Sequence, residues 1–172
     1  MARVNVPNAT FIHHDMLTLD FAEDSFDGVA AFYTLTHLPY GELPRFLRKM
    51  GGWVRAGGLL VATLSSGPNW GQVEPDWLGA PMYFSGYSMD DNKRFVEEAG
   101  FQVRTATVET IHEDGRPVAF LWVVAQKRTG ACADLATTTS AGLRARDTDS
   151  ELVILTEQDH RASAIGRLPE ET

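Results

Sequence analysis

The sequence predicts an α/β protein whose mostly parallel sheet finishes in an antiparallel hairpin. Three observations carry that prediction. Residues 27–33 and 59–64 are short, nearly continuous apolar runs, the pattern of strands covered on both faces. Between them Leu43, Phe46, Leu47 and Met50 recur at helical spacing. Further on, the strand-like runs 101–111 and 117–126 flank Asp114 and Gly115, a hairpin turn signal. With 172 residues and 44% hydrophobic content, one domain with a sizeable core is expected.

Each element has a local reason. Residues 9–14, Ala-Thr-Phe-Ile-His-His, read as a short strand between Pro7-Asn8 and Asp15. A helix begins around Gly41; Pro44 fits only its first turn, Trp53 and Val54 continue its apolar stripe, and Gly57 and Gly58 stop it. Residues 65–87 interleave glycines and prolines with Trp70, Trp77, Tyr83, Phe84 and Tyr87. That stretch is too long and too aromatic for an ordinary connection, and long ordered loops are usually functional. Residues 88–91, Ser-Met-Asp-Asp, form a capping-box variant, and Gly100 ends the helix it starts. In the last strand Val118, Phe120, Trp122 and Val124 share one face. Residues 129–150 shift to Ala, Thr, Gly, Asp and Ser, and 129–172 read as an acidic, flexible tail, in which residues 152–155 have the composition of one short strand or helical turn.

Bulk properties narrow the function. A net charge of −8 and a pI near 5.0 argue against a nucleic-acid groove, which needs clustered Lys and Arg. A mean hydropathy of −0.17 without a long apolar run predicts no transmembrane helix and no membrane partner. No secretory signal is visible, and the single cysteine, Cys132, permits no internal disulfide, so a cytoplasmic location is expected. His13, His14 and Asp15 invite a metal reading, but adjacent strand side chains point to opposite faces, so no metal is expected. Ser65, Ser66 and Gly67 lack the Gly-x-Ser-x-Gly elbow of a serine hydrolase. The expected partner is a small-molecule substrate.

The order of these motifs resembles a known family. Phe-Ile-His-His-Asp-Met from Phe11, Ser25-Phe26-Asp27 ahead of the next strand, Leu-Thr-His-Leu from Leu35, and Arg-Ala-Gly-Gly-Leu-Leu-Val from Arg55 are similar, in order and spacing, to the second half of a class I S-adenosylmethionine-dependent methyltransferase. The resemblance covers roughly residues 3–127. It implies a Rossmann-like sheet of order 3-2-1-4-5-7-6, S-adenosylmethionine as cofactor, and methyl transfer to a small-molecule O, N or C nucleophile. In open α/β sheets the ligand sits at the carboxyl ends of the parallel strands.

The site residues follow from that resemblance. Asp15 would accept a hydrogen bond from the adenine amine, and Met16 would pack beside the ring. The plainer reading of Asp15 is a turn cap. Phe32 and Tyr33 would flank the methionine part of the cofactor, with core packing as the alternative. His37 would orient the acceptor or take its proton, or make only a structural hydrogen bond. Trp70, Trp77, Tyr83 and Phe84 would close over the substrate, or simply cover the sheet edge.

The family's Gly-x-Gly-x-Gly turn is absent from these 172 residues. Its first two strands would lie upstream, so the sequence reads as an N-terminally truncated domain. The strand at 27–33 would then be an open edge, which invites a homodimer or a partner chain. Weak cofactor affinity is expected without the anion-friendly helix terminus beside that turn. The leading expectation is a methyltransferase, inactive alone if truncation removes its cofactor half. The alternative is a non-catalytic remnant or protein-interaction module that uses the exposed edge.

Overall fold

The computed structural model describes Val6 and residues 9–77, 79–113, 115–129 and 152–155. Seven strands and two α-helices run in the order β1 (Phe26–Ala31), α1 (Leu43–Trp53), β2 (Val54–Ser65), β3 (Asn69–Trp77), β4 (Ala80–Gly86), α2 (Met89–Glu98), β5 (Phe101–Glu113), β6 (Arg116–Lys127) and β7 (Leu152–Leu155). A 3-10 turn, Leu35–His37, follows β1.

The main sheet has the order β5-β6-β2-β1-β7. β1 is parallel to both β2 and β7, whereas β6 is antiparallel to β2 and to β5. β5, β6, β2 and β1 thus fill the 6-7-5-4 portion of the expected order.

One face of the sheet meets both helices. Alternation selects Val29 and Ala31 from β1, Leu60, Ala62 and Leu64 from β2, and Leu121, Val123 and Ala125 from β6, all buried in one cluster. Leu43, Phe46, Leu47 and Met50 of α1 and Val96 of α2 join it, as the helical spacing requires. On the opposite face Val61, Trp122 and Val124 are only partly buried and Leu59 is exposed. The run Val118, Phe120, Trp122 and Val124 therefore belongs to the face away from the helices.

Local signals mostly act as their chemistry dictates. Ser88 caps α2 by accepting the Asp91 N–H at 3.1 Å, and its hydroxyl donates back to the Asp91 carboxylate at 2.7 Å. Gly100 ends that helix with φ +91°. The β5–β6 connection is a two-residue hairpin, with Glu113 opposite Arg116. Pro44 stands in the first turn of α1.

Three expectations need correction. Residues 9–14 form no strand: Phe11 and Ile12 are exposed, and among the described residues no strand pairs with this segment. A strand needs a ladder partner for its backbone groups, and without one Phe11 and Ile12 have no sheet to pack against. The glycine pair does not stop α1. That helix ends at Trp53, and β2 already includes both glycines. Gly57 takes φ +78°, and Gly58 lies against the Asp27 carbonyl where a Cβ would not fit, so the pair permits a close irregular start to the β1–β2 ladder. Residues 65–87 are not one long loop. Most of them form the antiparallel pair β3–β4, the second sheet of the molecule. Its strands carry aromatic and β-branched residues, which suit a pleated surface, and Gly79 turns between them with φ +84°.

The tail contributes one described element. Leu152–Leu155 is the short strand its composition allowed, and it lies along the edge of β1 that was expected to be open. Cys132 and the rest of residues 130–172 lie outside the described residues. No helix among the described residues is long and apolar enough to cross a membrane.

Candidate functional site

The parallel strands β1 and β2 end side by side, and the sequence-predicted site residues gather in three groups along that carboxyl rim. The first is the turn at Asp15. The Asp15 Oδ1 accepts the Leu17 N–H at 2.8 Å, while its backbone carbonyl accepts the N–H groups of Thr18 and Leu19. Asp15 is therefore a turn cap in this structure, with its carboxylate half-buried. Met16 is buried, and its thioether lies 3.9 Å from the Thr34 hydroxyl. Thr34 lies three residues past β1 and precedes the 3-10 turn, so this contact fixes the turn at the rim.

The second group is aromatic. Tyr33 stands at the end of β1 with φ +56°, a left-handed conformation rare for a bulky residue. Its N–H donates to the hydroxyl of Thr63, a fully buried residue of β2. Its ring meets Phe120 edge-on at 5.0 Å and Trp122 at 5.9 Å, and Phe32 meets Trp122 at 5.6 Å. Such pairs contribute roughly 0.5–1.5 kcal/mol beyond their area. Phe32 and Tyr33 thus lean over the β6 side of the sheet. The indole N–H of Trp122 is buried with no hydrogen-bond partner, a donor this cluster leaves unsatisfied.

The third group joins the 3-10 turn to the aromatic hairpin. His37 is buried, and its Nδ1 lies 2.8 Å from the Tyr83 carbonyl. A carbonyl only accepts, so Nδ1 carries the proton and the lone pair of the neutral ring sits on Nε2. The imidazole packs 4.8 Å from Phe84, which meets Trp77 at 5.1 Å. Ser85 donates to the Leu38 carbonyl at 2.7 Å. The Tyr83 hydroxyl accepts the Tyr40 N–H, and the Tyr87 hydroxyl accepts the Gly41 N–H at 2.7 Å. Burial pushes the Tyr87 hydroxyl above its ordinary pKa, and the Gly41 hydrogen bond opposes that. Trp70, at the open end of the hairpin near the start of β3, is 76% exposed, and among the described aromatic pairs it meets Tyr40 at 5.1 Å.

Beneath the hairpin, Asn92 of α2 is fully buried. Its amide donates to the Ser65 carbonyl at 2.8 Å and to the Tyr87 carbonyl at 3.3 Å. It joins the end of β2 to the end of β4. Its Oδ1 has no partner and lines a cavity of about 10 Å³, room for one water.

The structure therefore brings Asp15 with Met16, Phe32 with Tyr33, and His37 with Trp77, Tyr83 and Phe84 to one rim, and Trp70 meets this group through Tyr40 with most of its ring exposed. Sequence reasoning missed Thr63, Phe120, Trp122, Tyr40 and Asn92 at the site. The alternation in residues 118–124 was the available signal for Phe120 and Trp122. The pairing of Thr63 with Trp122 across β2 and β6 was not visible in the sequence.

Residues 1–58 match the family model described as "Methyltransferase domain". No curated protein matches the chain. Among solved structures, it is similar to an S-adenosylmethionine-dependent methyltransferase of Methanosarcina mazei, at 15% identity and a TM-score of 0.57, over 68% of this chain and 66% of that one. A second, from Mesorhizobium loti, gives 19% identity and a TM-score of 0.57 over 73% and 74%. A third, the 1,6-didemethyltoxoflavin-N1-methyltransferase of Burkholderia thailandensis with 1,6-didemethyltoxoflavin and S-adenosylhomocysteine bound, gives 14% identity and a TM-score of 0.52 over 69% and 51%. The chain thus spans 66% of the first of these proteins and 51% of the third. Two of these proteins are described as S-adenosylmethionine-dependent, and the third holds S-adenosylhomocysteine. Residues 1–58 match the methyltransferase domain family, and the described sheet has the class I S-adenosylmethionine-dependent methyltransferase fold.

Proposed function

We propose that this chain serves S-adenosylmethionine-dependent methylation of a small-molecule acceptor, in the cytoplasm. The carrying observation is the clustering of the Asp15 turn, the strained Tyr33 and the His37 turn at the carboxyl rim of the two parallel strands, where open α/β sheets hold ligands.

The donor set fits the cofactor at its adenine end. A carboxylate accepts several hydrogen bonds at once, so the Leu17 N–H and an exocyclic amine can share Asp15. The Leu17 bond also fixes the direction of the carboxylate. Met16 is packed against Thr34, so its contribution at the rim is an apolar floor. Phe32 and Tyr33, with Trp122 behind them, offer aromatic faces that favour a cation such as a sulfonium. When bound, the cofactor supplies a methyl on positively charged sulfur, which an acceptor's lone pair takes as the carbon–sulfur bond breaks and the thioether leaves. His37, tied by Nδ1 to Tyr83, holds the hairpin against the rim, and its Nε2 lone pair is suited to take the acceptor's proton. Trp77, Tyr83 and Phe84 shape the acceptor side and exclude water. Alignment of nucleophile and methyl supplies most of such a rate.

Titration of S-adenosylhomocysteine into the full chain and an Asp15→Ala variant, followed by calorimetry, tests this reading. Saturable binding that falls at least tenfold in the variant is expected. Equal heats from the two chains, or none from either, would refute it. The non-catalytic reading uses the outer edge of β1, which β7 occupies in this structure.

A further inference from the structure

The edge of β1 carries a consequence that is independent of methyl transfer. β1 is flanked by β2 on one side and by Leu152–Leu155 on the other, in parallel register, with Gly28 opposite Leu152 and Ala31 opposite Leu155. β7 occupies the end of the sheet and pairs with β1 alone. The β1 residues in this ladder are Gly28, Val29, Ala30 and Ala31. None is a charge or a proline of the kind that blunts a natural sheet edge. The occupant, Leu-Val-Ile-Leu, is wholly apolar and has the β-branched composition that strands favour.

The connection is long enough for this occupant to reach beyond its own sheet. Gln126, Leu59, Gly28 and Leu152 lie in one row across β6, β2, β1 and β7. The end of β6 and the start of β7 are therefore three strand spacings apart, about 14 Å. Residues 128–151 separate them, a length of chain that reaches about 80 Å fully extended. A link several times longer than its span fixes neither which sheet the strand joins nor which copy of the chain it comes from. It sets only the effective concentration of the segment at its own edge.

We propose that the outer edge of β1 is a strand-addition site for an extended apolar segment in parallel register, filled in cis by Leu152–Leu155 and open to exchange with the same segment of a second copy of this chain. Main-chain hydrogen bonds supply the affinity and the alternating side chains the register, as in other strand additions. Exchange yields a strand-swapped dimer, favoured by high protein concentration.

The test uses the full chain with Val153→Pro and Ile154→Pro together; consecutive N–H groups of an edge strand point to opposite sides, so the pair removes one ladder donor from the resident strand whichever of the two faces β1. The probe is a fluorescein-labelled peptide of residues 150–157, Ser-Glu-Leu-Val-Ile-Leu-Thr-Glu, read by anisotropy. The variant should bind it at least tenfold more tightly than the parent, whose own segment competes, and should ignore a peptide of scrambled order. Equal binding by both chains, no binding by the variant, or equal binding of the scrambled peptide overturns the proposal. If circular dichroism shows the variant unfolded, the parent decides. Isotopically light and heavy chains, refolded together from urea at high concentration, should give mixed dimers by native mass spectrometry, and excess peptide should dissolve them. Monomers at every concentration, or dimers that the peptide leaves intact, overturn it.

Discussion

The helix-covered face of the sheet and the aromatic hairpin beside it are held by different physics. On the covered face Leu47, Met50, Val54, Leu60, Ala62, Val96 and Phe101 are fully buried, and what binds them is non-directional removal of apolar surface from water. The hairpin β3–β4 leaves Trp70 and Val73 exposed and meets residues 37–41 through a few aimed hydrogen bonds: Tyr83 carbonyl to His37, Tyr83 and Tyr87 hydroxyls to the Tyr40 and Gly41 amides, and Ser85 to the Leu38 carbonyl. Burial of that kind fails only when the whole domain opens. A handful of directional bonds to one short segment can release as a unit while the sheet stays folded. The difference assigns stability to the covered face and adaptability to the hairpin.

The largest effect should come from breaking the covered face. Leu47→Ala removes a fully buried side chain from the middle of the α1 contact. A loss of about 2–5 kcal/mol is expected, visible as a lower urea midpoint with one cooperative transition. Hydrogen exchange of the β2 and β6 amides should rise with that loss, while the hairpin amides, set by local release, should change less. Hairpin exchange that rises in step with β2 in this variant would break the comparison.

An intermediate effect should come from the seam. His37→Phe keeps the ring packed against Phe84 but removes the donor to the Tyr83 carbonyl. A half-buried carbonyl that loses its donor costs up to about 1–3 kcal/mol, and here the cost can be avoided by local release of the hairpin. Exchange in residues 80–86 should therefore quicken by tenfold or more, with β2 and β6 amides little changed. Uniform acceleration across all strands would show that the hairpin and the sheet open together.

These two regions also differ in how far the sequence revealed them. The covered face was legible because its signals are local and periodic: the Leu43, Phe46, Leu47, Met50 stripe, the apolar run of β2, the Ser88 cap and the Gly115 turn each depend on neighbours in sequence. The hairpin and the rim depend on partners far along the chain. Tyr83 reaches Tyr40, Asn92 reaches Ser65, and Tyr33 leans on Phe120 and Trp122, and no periodicity announces such pairs. Residues 9–14 show the converse failure. Their composition is strand-like, but pairing is a tertiary event, and the sequence could not say whether a neighbour would arrive. Leu152–Leu155 has the stronger β composition and takes the only open edge of β1.

The smallest effect sharpens the seam further, through pH. The Tyr87 hydroxyl accepts the Gly41 N–H and its ring stacks on Tyr40 at 4.8 Å, so one side chain secures the end of β4 to residues 40 and 41. Tyr87→Phe keeps the ring and loses only the acceptor, and about 0.5–1.5 kcal/mol should go at neutral pH. Burial raises the hydroxyl's pKa above its ordinary value in the folded chain, so the folded state favours the protonated form. In the parent, stability linked to this group is complete below the unfolded value of about 10 and declines as pH rises through it toward the folded value. The phenylalanine variant has no such group to titrate. The gap between parent and variant, measured by urea melts at pH 8 and again above pH 10, should therefore narrow on the alkaline side. A gap that stays constant would mean that the Tyr87 hydroxyl reaches water as readily in the folded chain as in the unfolded one, and that this seam is no drier than the rest of the hairpin.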